Sequence, residues 1–378
     1  MTEDWENGGF GIYIHWPFCT AKCPYCDFNS HVRSNINQKQ WLKAYLNEIK
    51  RVSEKTSNRI LNSVFFGGGT PSLIEPSIIG DVLNEIQKHW KTKNNFEVTL
   101  EANPGSVDAK NFKAYKEAGV NRTSMGIQSL NTKDLKALGR THTVEEALAA
   151  FEIARQNFKA VSFDLIYARQ NQNINQWEKE LSLALSLEAS HMSLYQLTIE
   201  QGTAFGDRYN RGLLKGLPND DTSADMYDLT LSLCEDRGLV SYEVSNYAHE
   251  GYESIHNLIY WRYGDYIGIG PGAHGRLTID GKKYATETVL SPEAWLKKVE
   301  CDGSGESNSV ELTDQQQAAE FVMMGLRLKE GINYQRFKDL SGSTFSKTKL
   351  NFLRDLNLIK QKDGYIATCL LYTSPSPR

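Results

Sequence analysis

Along the first 240 residues, short apolar runs alternate with stretches in which apolar positions recur every three or four residues. The runs are Phe10-Gly-Ile-Tyr-Ile-His15, Ser63-Val-Phe-Phe66, Phe96-Glu-Val-Thr-Leu100, Arg122-Thr-Ser-Met-Gly-Ile127, Val161-Ser-Phe-Asp-Leu-Ile166 and His191-Met-Ser-Leu-Tyr195. Their length and their β-branched and aromatic content predict strands. The periodic stretches predict helices at Gln38 to Lys55, Ser77 to Trp90, Asp108 to Ala118, Asn131 to Leu138, Gln176 to Leu187 and Asp221 to Arg237. Strictly alternating strands and helices imply an α/β fold with a parallel sheet and right-handed crossovers. Six units are fewer than the eight of a closed barrel. The expected architecture is an open, partial (β/α)6 barrel.

Polar residues stand at or near the carboxyl ends of these strands: Gly67-Gly-Gly-Thr70, Glu101, Gln128, Asp164 and Gln196. In β/α barrels that rim is where ligand sites are built. The barrel is expected over residues 1–237. An extension over 238–301 contains Ser254-Ile-His-Asn-Leu-Ile-Tyr-Trp-Arg-Tyr-Gly264 and a glycine-rich run that continues to Gly275. No strand-then-helix unit frames that run, so it is not a nucleotide fingerprint. After a Gly/Ser-rich linker at Asp302 to Ser309, residues 310–368 predict a small α+β, winged-helix-like domain ending in a hairpin around Asp363-Gly364. The last ten residues, 369–378, break the pattern and read as a foreign, adapter-derived tail, which leaves Cys369 uninformative and the small domain truncated.

Composition narrows the class. The chain has 378 residues, a net charge of −4 and no Lys/Arg block, so nothing favours a nucleic-acid partner. The acidic, polar amino terminus lacks the basic and apolar regions of a signal peptide, and no apolar run approaches the roughly 18 residues of a membrane span. A cytoplasmic protein without a transmembrane segment is expected. In a reducing compartment, clustered cysteines are metal ligands or redox groups rather than disulfides.

Three of the six cysteines, Cys19, Cys23 and Cys26, fall within eight positions on the loop after the first strand. The spacing C-x3-C-x2-C lets three thiolates hold three irons of a 4Fe–4S cluster and leaves the fourth iron open to a small molecule. Zinc is the competing reading, but it prefers four tetrahedral ligands, and the nearest further candidate, His31, has no partner motif. Cys234 and Cys301 are isolated and are expected to be structural thiols.

Tyr13-Ile-His-Trp-Pro-Phe-Cys19-x3-Cys23-Pro-Tyr-Cys26, Gly67-Gly-Gly-Thr-Pro71 and Leu100-Glu-Ala-Asn-Pro104 resemble the radical S-adenosylmethionine superfamily. The resemblance is to its oxygen-independent coproporphyrinogen III oxidase family, and it continues through Gly126-Ile-Gln-Ser129, Leu138-Gly-Arg-Thr-His142, Asp164-Leu-Ile-Tyr167 and His256-Asn-Leu-Ile-Tyr-Trp261. The resemblance implies a 4Fe–4S cluster on Cys19, Cys23 and Cys26. It also implies S-adenosylmethionine held by Tyr13, Tyr25, Gly67, Gly68, Gly69, Thr70, Glu101, Gln128, Arg140 and Asp164. Taken singly, the glycines suit a tight turn, Asp164 a helix cap and Arg140 a surface ion pair. One departure stands out. The family's Gly-Leu-Pro after Asp-Leu-Ile-Tyr is here Ala168-Arg169-Gln170, so the turn after the fifth strand must be built differently.

Two activities compete within that family. The oxidases decarboxylate two propionates of coproporphyrinogen III and carry a further cysteine two residues after the triplet; a haem-chaperone branch has an aromatic residue there. Here the position is Phe28. The resemblance therefore implies a haem chaperone with haem at His256, Tyr260 and Trp261, and haem-accepting proteins such as respiratory enzymes as partners. It also allows a homodimer. Porphyrinogen turnover is not expected, which leaves open whether the chain is an enzyme; the oxidase and a zinc-binding barrel are the alternatives. Neutral imidazole is a common haem-iron donor, Tyr260 and Trp261 offer flat faces, and Arg262 suits a propionate. Without the resemblance, His256 reads as a hydrogen-bonded core histidine. His274 is expected to be structural.

Overall fold

The computed structural model describes residues 3–56, 58–104 and 109–368. The start of the helix expected from Asp108 and the tail from Cys369 lie outside the described residues.

The expected alternation is present. In chain order the barrel elements are β1 (Phe10–Trp16), α1 (Gln38–Thr56), β2 (Ile60–Gly68), α2 (Pro76–His89), β3 (Lys91–Ala102), α3 (Ala109–Glu117), β4 (Arg122–Gln128), α4 (Val144–Asn157), β5 (Ala160–Tyr167), α5 (Ile174–Leu185), β6 (His191–Gln196) and α6 (Asp220–Glu235). A short helix, Thr132–Ala137, precedes α4. Strands β1 to β6 pair in parallel in sequence order. Their central residues are buried, as in strands covered on both faces: β1 exposes only part of Tyr13, whereas the first half of β3, from Lys91, projects into solvent. Capping boxes start α4 (Thr143 with Glu146) and α5 (Asn173 with Gln176), satisfying amides that would otherwise lack partners.

The sheet does not stop at β6. Beyond it lie the short antiparallel strands β7 (Val240–Ser241) and β8 (Asn246–Ala248), with β8 next to β6. After α7 (Ile255–Trp261), strand β9 (Asp265–Ile269) returns to the opposite edge and pairs in parallel with β1. Three antiparallel strands follow: β10 (His274–Ile279), β11 (Lys282–Thr288) and β12 (Glu306–Glu311). The result is one open sheet of twelve strands. The extension expected over 238–301 therefore continues the barrel's own sheet, and the stretch expected as a linker at Asp302 to Ser309 ends inside β12. The main core fills both faces of this sheet, with Trp16, Trp177 and Trp295 fully buried. Cys234 is buried there, whereas Cys301 is exposed on the surface.

Residues 314–368 form the small domain: α8 (Asp314–Gly325), α9 (Tyr334–Ser341), α10 (Lys347–Asp355) and a three-stranded antiparallel sheet. Its hairpin turns at Asp363 and Gly364, both at positive φ (50° and 82°), which the two-residue turn requires. Its core of Phe321, Ile332, Leu340, Ile359 and Ile366 includes Tyr263 from the barrel side. Arg336 clamps the junction, with two bonds to the Asp4 carboxylate (2.7 and 2.9 Å) and two to the carbonyls of Arg262 and Tyr263. Among the described residues no helix is long and apolar enough to cross a membrane.

Candidate metal-cluster and cofactor site

The loop after β1 carries the three cysteines and is fixed at both ends. Residues Phe18–Cys19 pair in parallel with His31–Val32, and the His31 and Arg33 amides donate to the Pro17 and Cys19 carbonyls. Within the loop the Cys26 amide donates to the Cys23 carbonyl at 3.1 Å, closing a turn that brings the thiols to one side. Asn29 anchors its far end by donating to the carbonyls of Pro271 and Leu290, both at 2.9 Å.

All three cysteines line one pocket at the carboxyl ends of β2 to β5, together with Gly68, Gly69, Thr70, Glu101, Gln128, Arg140 and Asp164. Each thiol has a polar neighbour. Thr70 Oγ1 donates to Cys19 Sγ (3.5 Å), Arg140 Nη1 to Cys23 Sγ (3.2 Å), and Cys26 Sγ meets Ser30 Oγ at 3.8 Å. Burial pushes the Cys19 and Cys26 thiols up. The Thr70 and Ser30 hydroxyls act the other way, favouring thiolate at a metal. Among the described residues no three His, Cys, Asp or Glu side chains converge closely enough for a single ion.

The glycines are required first by the protein itself. Gly68 has φ of +112°, and a Cβ there would lie 2.7 Å from both the Trp16 carbonyl oxygen and the His15 ring; at Gly69 it would lie 2.6 Å from the Phe18 oxygen and 3.0 Å from Cys19 Sγ. The end of β2 is therefore pressed against the cysteine loop. Gly67 lies beneath Tyr13 rather than in the pocket.

Strand alternation builds the opposite wall. Ser124, Gly126 and Gln128 share one face of β4. Arg140 Nη2 donates to the Gly126 carbonyl at 2.8 Å, while its buried Nε has no partner among the described residues. Gln128 ends the strand at φ 72°, a conformation costly for a side-chain-bearing residue and typical of functional rims. Ser124, not singled out in the sequence, donates to Asp164 Oδ1 at 3.4 Å; its period-two relation to Gly126 and Gln128 is the signal that marks it. The Gly68 amide donates to Glu101 Oε2 at 3.1 Å. Burial, and then the Asp164 charge, raise Glu101 to about 8, and burial raises Asp164 to about 6. Two partly buried carboxylates and an arginine with an unpartnered Nε form a site prepared for a ligand bearing both cationic and carboxylate groups. Tyr25 closes one side of the pocket, packed against Phe205 at 6.4 Å.

The departure after β5 is accommodated. Ala168 takes φ 54°, a conformation that glycine adopts freely. Arg169 turns inward, buried, and bonds to the Ile166 carbonyl, to Glu180 and to Asp134 Oδ2 (2.9 Å). Glu180 in turn accepts from Ser129 Oγ and the Leu130 amide, both at 2.7 Å. A buried ion-pair hub thus ties the end of β5 to the end of β4.

Next to the cluster pocket lies a cavity of about 610 Å³ walled by aromatic residues, among them Tyr13, Phe65, His256, Tyr260 and Trp261. Tyr13 belongs to this wall, not to the cluster pocket, and bonds to His15 Nδ1 (2.9 Å). Phe28 and Glu101 line both spaces. Two expectations change here. His256 does not present a free nitrogen: Nδ1 meets Ser63 Oγ at 2.8 Å and Nε2 meets the Tyr260 hydroxyl at 2.7 Å, and burial lowers the ring to about 3. Arg262 faces away from the cavity in a bidentate pair with Glu330, both bonds at 2.8 Å. The arginine lining the cavity is Arg276, which the sequence did not suggest, paired with Glu320 of α8.

Comparison with known proteins agrees with this geometry. Residues 13–184 match the family model described as the Radical SAM superfamily, and residues 312–368 match the HemN C-terminal domain. The chain is 39% identical to the heme chaperone HemW of Haemophilus influenzae, over 92% of this chain and 91% of that protein. It belongs to the HemW family of radical SAM proteins. A second relative, from Danio rerio, is the mitochondrial radical S-adenosyl methionine domain-containing protein 1, 39% identical over 86% of this chain and 74% of that one. Among solved structures, the coproporphyrinogen III oxidase HemN of Escherichia coli superimposes with a TM-score of 0.79 at 19% identity, covering 96% of this chain and 87% of that one, a likeness of fold. Membership of the superfamily implies a 4Fe–4S cluster and S-adenosylmethionine, and the three thiols with the Arg140, Glu101 and Asp164 pocket fit both.

Proposed function

We propose that this chain is a haem chaperone, which takes haem into the aromatic cavity and hands it to haem-accepting proteins. The observation that carries the reading is the roughly 610 Å³ aromatic cavity beside the cysteine pocket, with the half-exposed Phe28 on their common border where the oxidase branch has a thiol. A cavity of that size and character suits a flat, largely apolar macrocycle with a few polar anchors. The naming of the relatives as heme chaperones supports the same assignment.

In this reading Cys19, Cys23 and Cys26 would hold the cluster, and the pocket beside it would take S-adenosylmethionine. Arg140 neutralises thiolate charge at Cys23 and offers its remaining donor to the methionyl carboxylate. Glu101 and Asp164 face the cationic part of the cofactor; Gln128 and Tyr25 close the pocket over it. When bound, the pair supplies one-electron chemistry. Tyr260 and Trp261 form porphyrin-facing wall, and His256 braces Tyr260 from behind. A cluster with one open iron needs a reducing compartment, which supports the cytoplasmic placement. Self-association as a homodimer would let one copy present haem to another.

The test is anaerobic. The purified chain, reconstituted with iron and sulfide, is expected to gain iron–sulfur absorption, to bind added haem with a shifted Soret band, and to leave coproporphyrinogen III unconverted when S-adenosylmethionine and a one-electron reductant are supplied. Formation of protoporphyrinogen IX with 5′-deoxyadenosine would establish the oxidase instead.

A further inference from the structure

Three histidines line the aromatic cavity, and they differ in what their ring nitrogens do. His15 has both engaged, by the Tyr13 hydroxyl and the Asn29 carbonyl, and so has His256. Releasing either would break a buried hydrogen-bond pair. His274 is different. Its side chain is 60% exposed, and among the described residues its ring makes no hydrogen bond; the Glu287 carboxylate lies 3.9 Å from Nδ1. That carboxylate sits directly across the β10–β11 ladder, in register with His274. Attraction from that carboxylate favours the proton on Nδ1, which leaves the Nε2 lone pair available to a metal.

The surroundings of His274 point the same way. His274 and Arg276 are two apart on β10 and share a face. Arg276 reaches Glu320 on α8 through two bonds, of 3.0 and 2.8 Å. Met323 and Met324 lie three and four residues after Glu320 on that helix, on the same face, and line the same cavity. One imidazole with an open nitrogen, one guanidinium and two thioethers thus border a space walled by aromatic rings.

We infer that His274, not His256, supplies the imidazole that ligates haem iron in this cavity, on the wall that the Arg276–Glu320 pair holds in place. The inference rests on the haem-chaperone reading. His256 then holds Tyr260 in place as a positioning residue.

The experiment titrates ferric haem, and separately metal-free protoporphyrin IX, into the full chain, with absorbance and electron paramagnetic resonance as readouts. His274→Ala is expected to lose the imidazole-ligated spectrum and to bind ferric haem roughly tenfold more weakly or worse. Its affinity for the metal-free porphyrin should stay unchanged, and added free imidazole should restore the spectrum. His256→Ala is expected to keep the imidazole signature on whatever haem it binds. A His274→Ala protein with the unsubstituted spectrum, or one that free imidazole does not restore, overturns the inference alone. An unsubstituted chain that binds no haem overturns the chaperone reading and the inference with it.

Discussion

Glu101 gives the sharpest quantitative handle on the cofactor pocket. Its carboxyl is partly buried in the pocket wall, accepts one amide bond from Gly68, and is raised to about 8 by burial and by Asp164. At pH 7 it is therefore mostly protonated in the ligand-free chain, whereas a cationic ligand facing it requires the carboxylate. Ionising it one pH unit below its pKa costs about 1.4 kcal/mol, so affinity for S-adenosylmethionine should rise roughly tenfold between pH 7 and pH 9. Asp164, raised only to about 6, is already ionised over that range and contributes no slope there. The sign for folding is opposite. An acid whose folded pKa lies above its unfolded value stabilises the fold while protonated. That contribution is full below about 4.5 and is lost as pH rises through about 8, so the ligand-free chain should weaken toward alkaline pH. Anaerobic equilibrium dialysis of the cluster-loaded chain against S-adenosylmethionine across this range measures the binding slope, and Glu101→Gln, which keeps an acceptor for Gly68, should flatten it. A flat profile in the unsubstituted chain, or an undiminished slope in Glu101→Gln, would refute the reasoning.

Three further substitutions probe the scaffold. Ala168→Gly should raise stability by about 0.5–1 kcal/mol, because relief of the left-handed penalty exceeds the added chain entropy; denaturant midpoints measure it. Arg169→Met should cost about 3–5 kcal/mol by stranding the buried Glu180 charge, and adding Glu180→Gln should recover much of the loss in a double-mutant cycle. Gly69→Ala drives a methyl into the Phe18 carbonyl and toward Cys19 Sγ, so it should cost about 1–3 kcal/mol of stability and lower the iron content after reconstitution, checked by metal analysis.

The barrel and its polar rim were legible because each of those rim residues stands in or just after one of the strand-like apolar runs. What escaped the sequence was decided by distant pairing. Asp265-Tyr-Ile-Gly-Ile269 reads as part of a glycine-rich loop, yet it is a parallel strand because β1 has a free edge beside it. Glu306-Ser-Asn-Ser-Val-Glu311 is polar and largely exposed along its length, so no apolar period marks it, and only its backbone ladder with β11 makes it a strand. His256 is the functional counterpart of this limit. Its partner Ser63 lies 193 positions away in sequence, so nothing local to the His256 motif reveals that both nitrogens are engaged. Conversely, His274 looked structural because it stands among glycines. Those glycines keep the turn before β10 narrow and leave the imidazole at the mouth of the cavity.

Phe28 joins these threads. It is half-exposed at the end of the cysteine loop, and one face of its position belongs to the cluster pocket while the other belongs to the aromatic cavity. A thiol at that point would add a nucleophile and hydrogen donor to the space between cofactor and porphyrin. A phenyl ring supplies only apolar surface, which holds a macrocycle without reacting with it. Glu101 borders the same two spaces, and the Asn29 anchor ties the loop to Pro271 and Leu290, on either side of β10 and β11. The cysteine loop therefore also shapes the floor of the cavity. Under the proposed haem-chaperone function, that shared wall would give the cluster a structural reason to persist.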